Sequence, residues 1–163
     1  QVTHNYRARA IFALLACYLR IGITFMIEIN NLTNFVVDKK FFTGVAKKVL
    51  KGENREIENI SIAFVKPNEI QKLNKQYRKK DKPTDVLSFE KVSSFKDEVS
   101  EVIICPYIVR ENAKESRLSL KKELARIMIH GVLHTLGYDH EKSEKEALEM
   151  ASKEIFYFSK ISN

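Results

Sequence analysis

From residue 26 onward the apolar and polar positions fall into short blocks, each with one period. Met26–Leu32 (MIEINNL) alternates apolar and polar, the pattern of a half-buried strand. Asp38 stands where a helix N-cap belongs. Phe42, Val45, Ala46 and Leu50 then share one helical face over Lys39–Lys51, with Gly52 at its end. Ile57–Val65 (IENISIAFV) alternates again and predicts a second strand. Pro67-Asn68 breaks it, and Asn68 is the expected cap of a helix over Glu69–Lys80 whose apolar face is Ile70, Leu73 and Tyr77. Asp81 to Asp85 reads as a turn around Pro83, Val86–Phe89 as a short strand, and Lys91–Val99 as a polar loop or hairpin tip. Val102–Cys105 (VIIC) is a buried-strand run stopped by Pro106, and Ile108–Lys114 has helical character. Ser119 opens a long helix with Leu120, Leu124, Ile127, Met128, Val132 and Leu133 on a wide apolar face. A last amphipathic helix spans Glu141–Tyr157, with Leu148, Ala151, Ile155 and Phe156 expected to face inward. Its early glutamates (Glu141, Glu144, Glu146, Glu149) suit a helix N-terminus. The order predicts an α+β domain over residues 26–163, a small four-stranded mixed sheet packed with about five helices.

Residues 1–25 read differently. Arg7 and Arg9 precede an apolar run, Ala10 to Leu19, which Arg20 interrupts. A basic start before an apolar run resembles a signal peptide, but no small-x-small cleavage site follows. The run is also short of the roughly 20 residues that cross a bilayer. The first Met is Met26, where the first strand begins, so residues 1–25 are expected to be an extension outside the functional domain.

Charge sharpens the picture. Net charge is +7, which favours a polyanionic partner over an acidic or apolar one. Between Lys66 and Lys82 there are seven Lys or Arg against two acids, Glu69 and Asp81. Such a run is either a solvated helix face or a track for phosphates, with Lys72, Lys75, Lys79, Lys80 and Lys82 as candidate RNA contacts. Two separated cysteines, Cys17 and Cys105, with no CxxC, imply no disulfide framework and fit a reducing, cytoplasmic setting.

The chemistry concentrates in His130-Gly-Val-Leu-His134-Thr-Leu-Gly-Tyr-Asp-His140, which holds three of the four histidines. His130 and His134 are four apart, so a helix sets them on one face. His140 lies beyond Gly137, a helix-ending residue at which the chain can double back toward the same ion. Three imidazoles with a fourth position open describe a catalytic zinc site, one Zn2+ per chain, at the C-terminal end of the central helix. Nickel, copper and iron accept the same ligands. Asp139 reads as a turn residue or as a group orienting a ligand, and Thr84 and Asp85 as turn-fixing residues.

Tyr77-Arg78-Lys79-Lys80-Asp81-Lys82-Pro83-Thr84-Asp85-Val86-Leu87-Ser88-Phe89, together with the histidine stretch, resembles the YbeY family of bacterial rRNA maturation factors described as metal-dependent endoribonucleases. The resemblance runs from about Met26 to the end. It implies zinc on His130, His134 and His140, a functional role for Arg78, and action in 16S rRNA 3′-end maturation and ribosome quality control. It also implies RNA as partner, as an rRNA precursor in the small ribosomal subunit, with ribosomal proteins and an assembly GTPase as further candidates and no membrane. One departure is Asp97-Glu98-Val99-Ser100-Glu101, where the family often has Leu-Gly-Asp.

Zinc on three imidazoles acidifies a nucleophile, with His134 central to the site, and an arginine fork neutralises phosphoryl charge; Arg78 is the candidate. Either water or the RNA 2′-OH can serve as nucleophile, and single-stranded RNA suits an in-line attack better than duplex. Two rivals stand beside this reading. A zinc peptidase shares the histidine skeleton but carries a general-base Glu after the first His, where this chain has Gly131. A non-catalytic ribosome-assembly factor with a structural metal fits the basic surface equally well.

Overall fold

The computed structural model describes residues 26–56, 58–91 and 99–161. Residues 1–25 (expected to be an extension), Ile57 and residues 92–98 of the expected polar loop lie outside the described residues. The element order is β1 (Ile27–Asn31), α1 (Lys39–Gly52), β2 (Ile60–Phe64), α2 (Pro67–Arg78), β3 (Val86–Phe89), β4 (Ser100–Ile104), α3 (Pro106–Glu115), α4 (Leu120–Thr135) and α5 (Glu144–Ser159). These form the expected α+β architecture with a four-stranded mixed sheet.

The strand order is β1-β2-β4-β3. β1, β2 and β4 are parallel, while β3 runs antiparallel to β4, with Val86 opposite Ile104 and Phe89 opposite Glu101. β2 is more buried than its alternating sequence suggests: all five residues, Ile60 to Phe64, are buried. Side chains alternate across a strand, and both faces here are covered. Ile60, Ile62 and Phe64 join the main core with α1, α4 and α5, whereas Ala63 packs with Ile70 of α2 on the other side.

Several helix starts follow proline rather than the expected caps. α2 begins at Pro67, with Lys66 as N-cap and no side-chain cap; Asn68 lies inside the first turn. Proline suits this position because its missing N–H has no partner there anyway. Pro106 likewise both ends the run after β4 and opens α3, two residues before the expected start. Asp38 and Ser119 do cap, accepting from Phe41 N and Lys122 N. α5 starts at Glu144 with Ser143 as its cap, later than the sequence pattern suggests.

The inward face of α5 is a correction. Leu148, Ile155 and Phe156 are 64%, 72% and 52% exposed, and Ala151 is exposed too. Met150 and Tyr157 are buried instead. The helix is rotated so that two polar residues, Lys153 and Glu154, meet partners in the interior: Glu53 and His130.

α4 is the central helix, packed on β3 and β4 and touching α1, α3 and α5. Its close seat on the sheet depends on Gly131: a Cβ there would lie 2.6 Å from Val102 Cγ1 and 3.2 Å from Ser88 Oγ. No described helix is long and apolar enough to cross a membrane.

Candidate metal centre

α4 carries Ala125, Ile129 and Val132 into the core and turns its next face, with His130 and His134, toward a cleft beside β3. The helix ends at Thr135. Gly137 then takes φ +96°, a left-handed conformation that side-chain-bearing residues resist, and the chain reverses. That reversal brings His140 back to the other two. Ring centroids are 4.6 Å apart for His130–His134, 5.3 Å for His130–His140 and 5.1 Å for His134–His140. One ring nitrogen from each lies within 4.8 Å of the others, a set that can hold a metal ion. Nitrogens on one tetrahedral zinc are about 3.4 Å apart, so small ring rotations close the set.

The donors fit a cation. His130 Nδ1 lies 2.8 Å from Glu154 Oε1, a pairing that places the proton on Nδ1 and leaves the Nε2 lone pair free. Burial, with the neighbouring His130 and His140, lowers the pKa of His134 to about 4, so its imidazole is neutral at pH 7 and able to ligate. Asp139 serves the turn: its Oδ1 accepts from Glu141 N at 2.9 Å, and this bond is the main reason its carboxyl lies below the usual range.

The cleft, of about 190 Å3, is lined by Arg78, Thr84, Asp85, Val86, Ser88, Asp139 and Glu141 in addition to the three histidines. Arg78 ends α2, is exposed and has no ion pair among the described residues, so its guanidinium is free for an anion. Asp85 is committed to structure: it accepts from Val86 N at 2.9 Å, Thr84 Oγ1 at 3.1 Å and Asn112 Nδ2 at 3.2 Å. Lys72, Lys75, Lys79, Lys80 and Lys82 are exposed but do not line the cleft. Three are engaged locally: Lys72 with Glu69 at 3.6 Å, Lys75 with Asp81 at 2.5 Å and Lys79 with the Gln76 carbonyl at 3.1 Å. A larger hollow of about 350 Å3 behind the loop is lined by Glu53, Asp139, Glu146 and Glu149 against a single Arg55. Its charge disfavours a phosphodiester.

Two residues important to this geometry carry no sequence signal. Glu154 stands 24 positions from His130. Glu53, just beyond α1, accepts from Tyr138 Oη at 2.6 Å, Tyr157 Oη at 2.5 Å and Lys153 Nζ at 2.8 Å, clamping the loop that carries His140.

The fold and cleft thus define an α+β protein with a three-histidine cation site on its central helix. Residues 28–162 match the family model described as Endoribonuclease YbeY, and the chain belongs to that family. Among its relatives, Endoribonuclease YbeY of Persephonella marina is 42% identical over 129 residues, covering 77% of this chain and 84% of the relative. Endoribonuclease YbeY of Thermotoga neapolitana is 37% identical over 127 residues, covering 77% and 83%. The solution structure of TM1509 from Thermotoga maritima superposes with a TM-score of 0.59 at 33% identity, covering 83% of this chain and 89% of that one.

Proposed function

We propose that this chain is a zinc-dependent endoribonuclease that prefers single-stranded RNA and acts in the cytoplasm in 16S rRNA 3′-end maturation and ribosome quality control. The observation that carries the reading is the meeting of three imidazoles and an Arg78 without an ion pair among the described residues in one cleft. The relatives' name, endoribonuclease, supplies the substrate class. An rRNA precursor in the small subunit, with ribosomal proteins and an assembly GTPase nearby, is the partner set that the family resemblance supports.

His130, His134 and His140 would hold the ion, with Glu154 fixing the orientation of the first. A zinc ion so held supplies Lewis acidity, polarising a phosphoryl oxygen and acidifying the attacking hydroxyl or water. Arg78 forks across the remaining phosphoryl oxygens and offsets the negative charge that grows in the transition state. An unpaired strand suits the reading, because a flexible backbone can align its phosphate in line with the attacking oxygen. Exposed lysines of α2 add sequence-independent attraction.

Gly131 argues against the peptidase reading on structural grounds. Its missing side chain leaves no proton acceptor after the first His, and the sheet leaves no room for one.

The test is cleavage of a single-stranded RNA by purified protein, with metal content measured on the same samples. His134→Ala and chelation are each expected to abolish cleavage, and Arg78→Ala to lower it about 10²-fold or more with the fold intact. Cleavage that persists in His134→Ala is a contaminating nuclease and leaves a non-catalytic assembly factor. Near-normal cleavage by Arg78→Ala removes that residue from the chemistry.

A further inference from the structure

A second stretch of positive charge, without ion pairs among the described residues, lies away from the cleft on α1; its nearest acid is the cap Asp38, which feels Lys40 and is bonded to Lys121. Lys39, Lys40, Lys47, Lys48 and Lys51 are all exposed, and α1 itself contains no acid. None of the five takes part in an ion pair among the described residues; Lys48 donates to the Lys160 carbonyl at 2.9 Å. The contrast with α2 is clear, where Glu69 and Asp81 answer two of the lysines.

At 3.6 residues per turn, positions 40, 44, 47 and 51 fall on nearly one line along a helix. On α1 that line reads Lys40, Gly44, Lys47, Lys51 and spans about 16 Å. Gly44 is the anomaly. Glycine weakens a helix interior, and it is tolerated where the backbone must be approached closely. At Gly131 the fold itself occupies that space, but a Cβ at Gly44 would meet nothing within 4 Å. Nothing inside the protein uses the gap.

We propose that the outer face of α1 is a docking stripe for the phosphate backbone of an RNA segment that flanks the cleaved strand. This rests on the endoribonuclease reading and extends it to a second contact surface. The three lysines neutralise successive phosphates while Gly44 lets the strand lie close against the helix between them. A membrane surface fits less well, because the apolar side of α1 (Phe42, Val45, Val49, Leu50) is buried in the core and leaves nothing to insert. Glu53, directly after α1, binds Tyr138, two residues before His140, and also lines the acidic hollow, so an RNA strand on the stripe passes outside that hollow on its way from Lys51 to the cleft. α1 and α2 cover opposite faces of the sheet. RNA on α1 therefore approaches the cleft from a side that the lysines of α2 do not serve.

Three full-length, metal-loaded proteins decide the matter: wild type, the triple variant Lys40→Gln/Lys47→Gln/Lys51→Gln, and Gly44→Gln. Each is titrated over a salt series with a cleavage-resistant 2′-O-methyl phosphorothioate hairpin bearing a single-stranded tail, and with vesicles containing phosphatidylserine. Each is also assayed for cleavage of a short single-stranded oligonucleotide. The triple variant is expected to bind the hairpin roughly tenfold more weakly, with a slope of log affinity on log salt shallower by about 2 to 3. Gly44→Gln is expected to melt higher yet bind the hairpin several-fold more weakly, a pairing that general unfolding does not produce. Oligonucleotide cleavage stays unchanged in both. Hairpin affinity and slope unchanged in the triple variant overturn the docking stripe, even with wild-type cleavage intact; so does a loss confined to the vesicles. Wild type that cleaves no RNA, with the slope change still present, would instead remove the nuclease reading alone.

Discussion

The two ring nitrogens of His130 have different duties. Nδ1 is taken by Glu154 at 2.8 Å, and Nε2 is the nitrogen left to offer to the candidate ion site. A ring anchored in this way loses little freedom when it ligates. Glu154→Ala is expected to weaken metal binding about 10- to 100-fold, with Glu154→Gln retaining more of the wild-type affinity. Competition against a chelator of known affinity measures this, and equal affinity in wild type and Glu154→Ala would show that the ring needs no anchor. The three histidines were legible from spacing, since a helix turn and Gly137 are local features. Glu154 was not, because its distance along the chain hides the contact. Gly131 was read for the base it lacks, while the structure shows a packing reason as well: Val102 occupies the space a side chain would take.

At the scale of elements, the helices and strands largely follow local periodicity; proline shifted two helix starts, and the misread faces of α5 and β2 have their cause in other elements. On α5 the most apolar stripe, Leu148–Ala151–Ile155, points outward, and the inward line runs through the buried Met150 and Tyr157 with the half-buried Glu154 between them. Lys153 and Glu154 give no apolar signal, and their partners lie on other elements. Met150 is 1% exposed, and Met150→Ala is expected to cost about 2–5 kcal/mol, against about 0.5 kcal/mol or less for Ile155→Ala. Urea denaturation of both variants reads the difference directly. Equal costs would mean that α5 sits in the phase its sequence suggests. β2 shows the same limit: alternation promised one wet face, but α2 on the far side makes both faces dry.

For the molecule as a whole, Glu53 joins three parts that are distant in sequence. Its carboxylate side chain is 8% exposed and ties the end of α1 to Tyr138 on the metal-site loop and to Lys153 and Tyr157 on α5. Burial alone would raise its pKa, but the hydrogen bonds from Lys153, Tyr138 and Tyr157 outweigh that and hold it below the ordinary value of 4.5. The unfolded state therefore takes up this proton first. The stabilisation from Glu53 is complete well above pH 4.5 and fades as pH falls through its lowered native value. Glu53→Ala strands Tyr157 in the interior and a partly buried ammonium, with an expected cost of about 2–3 kcal/mol at neutral pH. That cost should shrink in acid, and metal affinity should drop as the loop loosens. Denaturation at neutral and acid pH, together with metal titration, checks this; a pH-independent cost would place the effect in packing alone.

The sequence by itself determined the α+β class, most element positions, the histidine triplet and the basic character of α2, because each is written in residues within a turn or two of one another. Tertiary structure alone decided the strand order β1-β2-β4-β3, the rotation of α5, the meeting of Arg78 with the histidines and the Glu154 and Glu53 contacts. Those depend on which distant surfaces can exclude water together while leaving every buried charge a partner. That condition is met by the packed chain as a whole and has no counterpart in the spacing of its residues.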